Sequence, residues 1–172
     1  MILTGKEIYK LVQQNKIHIK PFLKENINPN SYNYRLGDKL LEIIDEELDA
    51  KKPCSYKKIK LTEEGYTLLP GKLYLGSTVE EIGSDEYVTQ LIGRSSIGRL
   101  GLFLQITAPL GQLGAKHCWT LELHTVQPLK VYPNMKIGQV SFWGIKGERS
   151  IVYKGAYGQF SKPHISVFYN KI

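Results

Sequence analysis

A chain of 172 residues, 42% hydrophobic and 23% charged, is long enough for one domain with a real core and too short for two. Its formal net charge of +7 calls for an anionic partner, but the lysines are scattered, with no basic tail and no aromatic RNA-binding motif, so a small anionic ligand is expected and nucleic acid is not. Two cysteines, Cys54 and Cys118, exclude a disulfide framework, and no apolar leader core or membrane-length apolar run is found, so a soluble cytoplasmic protein without a membrane partner is expected.

Thr4-Gly5-Lys6-Glu7 is a capping box, with Leu3 and Ile8 placed as a hydrophobic staple. Ile8, Leu11 and Val12 then form an apolar stripe, which predicts an amphipathic helix over residues 5–15 that covers one end of a sheet. From Ile17 onward the pattern changes to short strands and turns. Ile17–Lys20 alternates and stops at Pro21, and Asn28-Pro29-Asn30-Ser31 is a turn cluster. Tyr32–Leu36 and Lys39–Ile44 read as strands joined across Gly37-Asp38, a hairpin signal. Asp45–Pro53 is charged and reads as a surface loop. Strands are expected over Lys57–Leu61, Tyr66–Leu69, Lys72–Gly76, Tyr87–Ile92, Leu129–Tyr132 and Ile137–Trp143. About ten short strands with one or two helices predict an all-β barrel or sandwich, as a single domain over residues 1–172.

The stretch Leu91–Leu123 carries the chemistry. It opens on a strand ending at Gly93, followed by one guanidinium and two hydroxyls in Arg94-Ser95-Ser96, with Arg99 five residues beyond Arg94. A strand, a Gly/Pro loop and a second strand over Trp119–His124 follow. On that second strand Trp119, Leu121 and Leu123 point one way and Thr120, Glu122 and His124 the other. Glu122, a carboxylate between bulky apolar neighbours, is poorly placed for a plain solvent face. The tail from Tyr153 to Ser161, rich in glycine and aromatic residues, reads either as an arm over residues 153–172 that orders over a ligand or a neighbour or as a frayed C-terminus.

Several chemistries are missing from the pattern. A zinc deaminase signature needs His-x-Glu and Pro-Cys-x-x-Cys, whereas Pro53-Cys54 has no second cysteine behind it. His117, Cys118 and His124 lack a fourth ligand at a workable spacing, so no zinc is expected. There is no phosphate-binding Gly-rich loop with Lys, no dinucleotide fingerprint and no Gly-x-Ser-x-Gly elbow, which makes Ser95 a poor covalent nucleophile.

Asn30–Gly37, Leu69-Pro70-Gly71 through Thr78-Val79-Glu80, Gly93-Arg94-Ser95-Ser96-Ile97-Gly98-Arg99-Leu100-Gly101-Leu102, Thr107-Ala108, Thr120-Leu121-Glu122 and Pro133–Gln139 occur in this order. Together they resemble the deoxycytidine triphosphate deaminases, a branch of the trimeric dUTPase-like fold, over most of the chain. The resemblance implies a mainly β, distorted barrel or jelly roll with a short N-terminal helix. It also implies a homotrimer with sites between subunits, and a triphosphate held with magnesium. By position, Glu122 is the implied general base that activates water for attack on carbon 4 of cytosine. Ser95 and the Ala108 backbone are implied to orient that water and the amine, with Arg99 holding the carboxylate. Arg94 and Ser96 match phosphate-binding positions, and Tyr157, Gln159 and Lys154 resemble tail residues that close over the nucleotide.

The residues themselves are compatible with that assignment. Without a metal, water needs a carboxylate within reach to take its proton. Burial raises a Glu pKa while an adjacent Arg lowers it, so Glu122 beside Arg99 is tunable either way. A guanidinium and hydroxyls suit a triphosphate. The chain departs from the family pattern at Gln112, where an Asp usually contacts the sugar and serves as base in relatives that cleave the triphosphate. Gln has no basic carboxylate. Pro109, Leu110 and Ala115 also alter the pocket. Three readings follow. Retention of Ser95, Arg99, Ala108 and Glu122 favours a metal-independent deaminase of a cytosine nucleotide. Gln112 argues against a dUTP-cleaving or bifunctional enzyme. The altered pocket permits a non-catalytic nucleotide-binding regulatory trimer.

Overall fold

The computed structural model describes residues 1–104, 107–148 and 151–171, without the side chains of Gln159 and Lys171. The N-terminal helix α1 spans Gly5–Gln13, with Thr4 Oγ1 accepting from the Glu7 N–H at 3.3 Å. Ile8 and Leu11 are buried on its inner face, and Leu3 packs against the same core. The helix ends two residues earlier than its apolar stripe predicts, because Asn15 adopts a left-handed φ of 56° that Asn tolerates better than most residues.

Twelve strands follow in the described residues: β1 His18–Lys20, β2 Tyr32–Arg35, β3 Lys39–Ile43, β4 Tyr56–Lys60, β5 Tyr66–Leu68, β6 Tyr74–Gly83, β7 Tyr87–Gly93, β8 Leu102–Leu104, β9 Leu110–Gly111, β10 Lys116–Thr125, β11 Leu129–Val131 and β12 Lys136–Gly144. A single short helix, α2, spans Ser95–Gly98 between β7 and β8. The larger antiparallel sheet runs β4-β3-β6-β10-β8, with β1 also paired to β6, and the smaller runs β2-β12-β7-β9. β5 and β11 form a two-stranded ribbon. The protein is mainly β, as its turn-punctuated strands predict.

Side chains from both large sheets merge in one core. Leu40, Ile82, Leu121 and Leu123 come from the larger sheet, and Tyr32, Tyr34, Leu91, Val140 and Phe142 from the smaller. Tyr34 is fully buried and spends its one polar atom on the carbonyl of Ile92, at 3.0 Å. A second cluster, Leu41, Ile43 and Leu75, lies on the other face of the larger sheet, where Cys54 and Ile165 pack against it. Leu41 and Ile43 alternate with Leu40, which places them on the opposite face.

Two sequence expectations are corrected here. Gly37-Asp38 does not join a hairpin: β2 pairs with β12, and β3 with β4 and β6, so the chain changes sheets at this turn. The buried Tyr32, Tyr34 and Leu36 belong to the central core, and following them decides the pairing over local turn chemistry. The strand predicted over Lys72–Gly76 is β6, which starts at Tyr74 and continues to Gly83 through the acidic pair Glu80-Glu81. Glu80 is fully buried because Arg35 meets it twice, with its Nε donating to Oε1 at 2.7 Å and its backbone N–H to Oε2 at 2.9 Å. A buried carboxylate with a bidentate basic partner is tolerated inside a strand where an unpaired one would not be.

Candidate active site

Strand β10 positions the central carboxylate. Leu121 and Leu123 are fully buried in the core, so period-two alternation turns Thr120 and Glu122 to the opposite face. There they enter a pocket of about 950 Å³. Its floor is Ile43 of β3, Leu75 of β6, and Thr120 and Glu122 of β10. Glu122 pairs across the ladder with Leu75, and burial among such neighbours pushes its carboxyl above the usual carboxylate range.

The walls come from three segments that are distant in sequence. The first is the loop between β3 and β4, which contributes Leu48, Asp49, Lys52 and Cys54. The second is the stretch around β9, with Thr107, Ala108, Leu110 and Gln112, followed by Ala115, His117 and Trp119. The Trp119 indole lies so close to Gly111 that a Cβ there would fall 2.7 Å from the ring, which makes glycine necessary at that position. Its Nε1–H donates to the Ile82 carbonyl at 2.9 Å, and its ring centroid is 4.3 Å from that of His117. His117 Nδ1 is 2.9 Å from the Cys118 carbonyl, an acceptor, so Nδ1 carries the proton. Burial pushes the His117 pKa down, which keeps the ring neutral.

The third wall is the C-terminal segment. The Tyr153 N–H donates to Leu113 O at 2.8 Å, and the His164 N–H to Thr120 Oγ1 at 3.3 Å. Between these anchors the His164 ring stacks on Phe160 at 3.8 Å with an interplanar angle of 9°, and Tyr157 meets Phe160 edge-on at 6.0 Å. The Tyr157 hydroxyl accepts from the Val167 N–H at 3.1 Å. The segment therefore lies over the Glu122 face of the sheet, with Tyr153, Tyr157 and His164 in the pocket lining.

The sequence-predicted residues divide into two groups. Glu122, Ala108, Gln112 and Tyr157 line the one pocket. Arg94, Ser95, Ser96 and Arg99 do not. They sit on and around α2, where Ser95, Ser96 and Arg99 are exposed and Arg94 donates from Nη1 to Lys136 O at 3.2 Å. Arg99 is thus not beside Glu122 within one chain, and the Glu122 shift arises from burial. Lys154 is exposed and outside the pocket lining. Gln159 closes the 3-10 turn Ala156–Gln159, and its side chain lies outside the described residues.

His117, Trp119, Asp49, Cys54 and His164 were not predicted as pocket residues. The charged run Asp45–Pro53 reads as solvent-facing, and nothing local shows that its hairpin folds beside β10. Among the described residues, no group of three or more His, Cys, Asp or Glu is placed to hold a metal ion. His117 and Cys118 are buried while His124 is exposed opposite Phe103. No helix of the described residues is long and apolar enough to cross a membrane.

Comparison with known proteins places this architecture. The dCTP deaminase-like family model matches residues 2–145. The "dCTP deaminase, dUMP-forming" of Clostridium beijerinckii is 50% identical over 157 residues, covering 91% of this chain and 90% of that protein. The protein of the same description from Leptospira biflexa is 46% identical over the same shares. The "dCTP deaminase" of Rhodopirellula baltica is 45% identical over 148 residues, 86% of this chain and 74% of that protein. The crystal structure of 2'-deoxycytidine 5'-triphosphate deaminase from Agrobacterium tumefaciens shares the fold, with a TM-score of 0.66 at 20% identity. That match covers 82% of this chain and 47% of the Agrobacterium chain, so this chain spans about half its length. The chain belongs to the dCTP deaminase-like family.

Proposed function

We propose that this protein hydrolyses the exocyclic C–N bond of dCTP, releasing ammonia and leaving the uracil nucleotide, with Glu122 as general base. The observation that carries the reading is the setting of Glu122, which stands on the floor of a nucleotide-sized pocket, opposite Leu75, with its carboxyl pushed above the usual range. A carboxylate of raised pKa takes a proton from water more effectively than an ordinary one. Water attacks carbon 4 as Glu122 takes one of its protons and passes it to ring N3. Glu122 then carries the remaining hydroxyl proton to the amine as the tetrahedral carbon collapses to the carbonyl and the C–N bond breaks, and the amine leaves as ammonia. Family membership and the dCTP-deaminating relatives support the same substrate.

Ser95 and Arg99, which the family resemblance assigns to this reaction, are exposed on α2 and do not line their own chain's pocket. A site completed by a second copy, in a homotrimer, reconciles this with the assignment: Glu122, Ala108 and Gln112 from one subunit, Arg94, Ser95, Ser96 and Arg99 from its neighbour. Tyr157, Gln159 and Lys154 of the C-terminal segment would then close over the nucleotide. Magnesium, in this reading, travels with the triphosphate, because the described residues offer no cage and the ion prefers phosphate oxygens and water. No proton step above depends on it.

Mixed oligomers test the division. Glu122→Gln and Arg99→Met subunits, each inactive alone, are unfolded together at equal ratio and reassembled. A site split between copies combines one intact Glu122 with one intact Arg99 in about a quarter of cases, so about a quarter of wild-type activity should return. No recovery in a verified mixed assembly refutes the split site.

The relatives' description supports a second reading in which the nucleotide also loses diphosphate and ends as dUMP. Gln112 opposes it, because an amide accepts no proton from the water that would attack phosphorus. Following ammonia and diphosphate separately from dCTP decides between them. Ammonia in excess of diphosphate supports deamination alone, and equal yields establish the dUMP-forming reaction.

A further inference from the structure

The ladder between β6 and β10 breaks immediately before the catalytic end of β10. Above the break Lys116, His117 and Cys118 pair with Gly83, Ile82 and Glu81, and below it Thr120, Leu121 and Glu122 pair with Ser77, Gly76 and Leu75. Trp119 alone therefore faces three residues of β6, Thr78, Val79 and Glu80. Had the upper register continued, Glu122 would lie opposite Ser77. The break slides it two residues along β6, about 6.8 Å, to lie opposite Leu75. Because the slip is even, Glu122 stays on the pocket face and exchanges a hydroxyl neighbour for an apolar one.

Such a break strands backbone groups inside the protein, and one side chain takes them up. Thr78 is 2% exposed. Its Oγ1 accepts the Trp119 N–H at 2.9 Å and donates to the Glu80 carbonyl at 2.7 Å, so it joins the two strands where the ladder has no rung. Glu80 is itself held inward by Arg35, and the Trp119 indole is tied to Ile82 O, so the bulge is fixed on both sides of the hydroxyl.

We propose that Thr78 is a positioning residue for the reaction: its hydroxyl clamps the three-against-one bulge that sets Glu122 opposite Leu75 on the pocket floor. The proposal rests on the reading of Glu122 as the base. Valine has the shape of threonine and lacks the hydroxyl, so Thr78→Val leaves the Trp119 N–H and the Glu80 carbonyl without partners while keeping the packing. The base then loses its fixed position while the nucleotide contacts elsewhere in the site persist.

Steady-state deamination of dCTP is measured for Thr78→Val, Thr78→Ser and Glu122→Gln, with melting curves for each. Thr78→Val should lower kcat by roughly 10- to 100-fold, the range opened by a misplacement of about 1 Å, with KM changed less than about threefold. Thr78→Ser, which keeps the hydroxyl, should restore kcat to within about threefold of wild type. A folded Thr78→Val enzyme with wild-type kcat, or one whose loss lies wholly in KM, overturns the proposal. If Thr78→Val does not fold, Thr78→Ser decides: wild-type kcat supports the hydroxyl clamp, and a tenfold loss despite normal melting overturns it. Glu122→Gln separates the two claims, since wild-type turnover in that variant removes the base itself. An inactive Glu122→Gln beside an unimpaired Thr78→Val removes only the clamp.

Discussion

Replacing Glu122 by Gln keeps the size of the side chain and removes its ability to accept a proton. General-base catalysis contributes about 10²–10⁴-fold, or about 2.7–5.4 kcal/mol of barrier. The reading of Glu122 as a base strengthened by burial predicts a loss in the upper half of that range. Leu75 lies across the ladder and Ile43 shares the pocket floor, and the burial they create raises the carboxyl pKa and with it the strength of the base. Ammonia release from dCTP should therefore fall by about 10³-fold or more while nucleotide affinity, measured by calorimetry, changes little. Two pH signatures accompany the loss. In the wild type, activity should fall on acidification at a pH above the usual carboxylate range, as Glu122 takes up its proton. Stability shifts in the opposite sense from that of a salt-bridged acid. A folded-state pKa above the unfolded one means that the folded protein binds the extra proton, so stability is lost as pH rises from the unfolded to the folded pKa. Glu122→Gln removes that penalty and should melt higher than wild type at neutral pH, with the difference closing near pH ~4, where an unfolded Glu protonates. Turnover within about threefold of wild type refutes the base assignment, and an acid limb in the ordinary carboxylate range refutes the account of how the pocket tunes it.

Arg35→Met leaves the fully buried Glu80 carboxylate with only the backbone N–H of residue 35 and without its charged partner, and should cost about 3–5 kcal/mol, read as a fall in Tm on the order of 10 °C, with Arg35→Met/Glu80→Leu recovering part of the loss. Gly111→Ala drives a methyl into the Thr89 hydroxyl and the Trp119 ring and should cost about 1–3 kcal/mol in a denaturant titration; it should also raise KM for dCTP by shifting the pocket wall. Gln112→Asp restores a carboxylate to the pocket lining and should increase diphosphate release relative to ammonia from dCTP, an unchanged ratio showing that this position does not reach the phosphate chemistry. Deleting residues 153–172 uncovers Leu41, Ile43 and Leu75 and removes six pocket-lining side chains, Tyr153, Tyr157, His164, Ser166, Phe168 and Tyr169, so KM should rise well before kcat falls, as titration of the truncated enzyme with dCTP would show.

Local chemistry in the amino-acid sequence determined the start of α1 at Thr4, the alternation that sends Leu121 and Leu123 inward and Glu122 outward, and the mainly β class. Each of these depends on neighbours within a few residues, where periodicity and capping act directly. The motifs also carried the family, since Arg94-Ser95-Ser96 and Thr120-Leu121-Glu122 are contiguous. Pairings were decided only by the tertiary structure. The turn at Gly37-Asp38 has hairpin chemistry, yet the buried tyrosines of β2 pull that strand to β12 and away from β3. The strand read as ending at Gly76 runs on to Gly83, past a glutamate that Arg35, 45 residues earlier, neutralises. The charged loop after β3 becomes a pocket wall because β3 and β10 both flank β6. Arg99 likewise stays out of the Glu122 pocket although β8, the strand that follows it, pairs with β10, while Leu110 of β9 enters that pocket from the other sheet; only the assembled sheets say which side chains share a cavity.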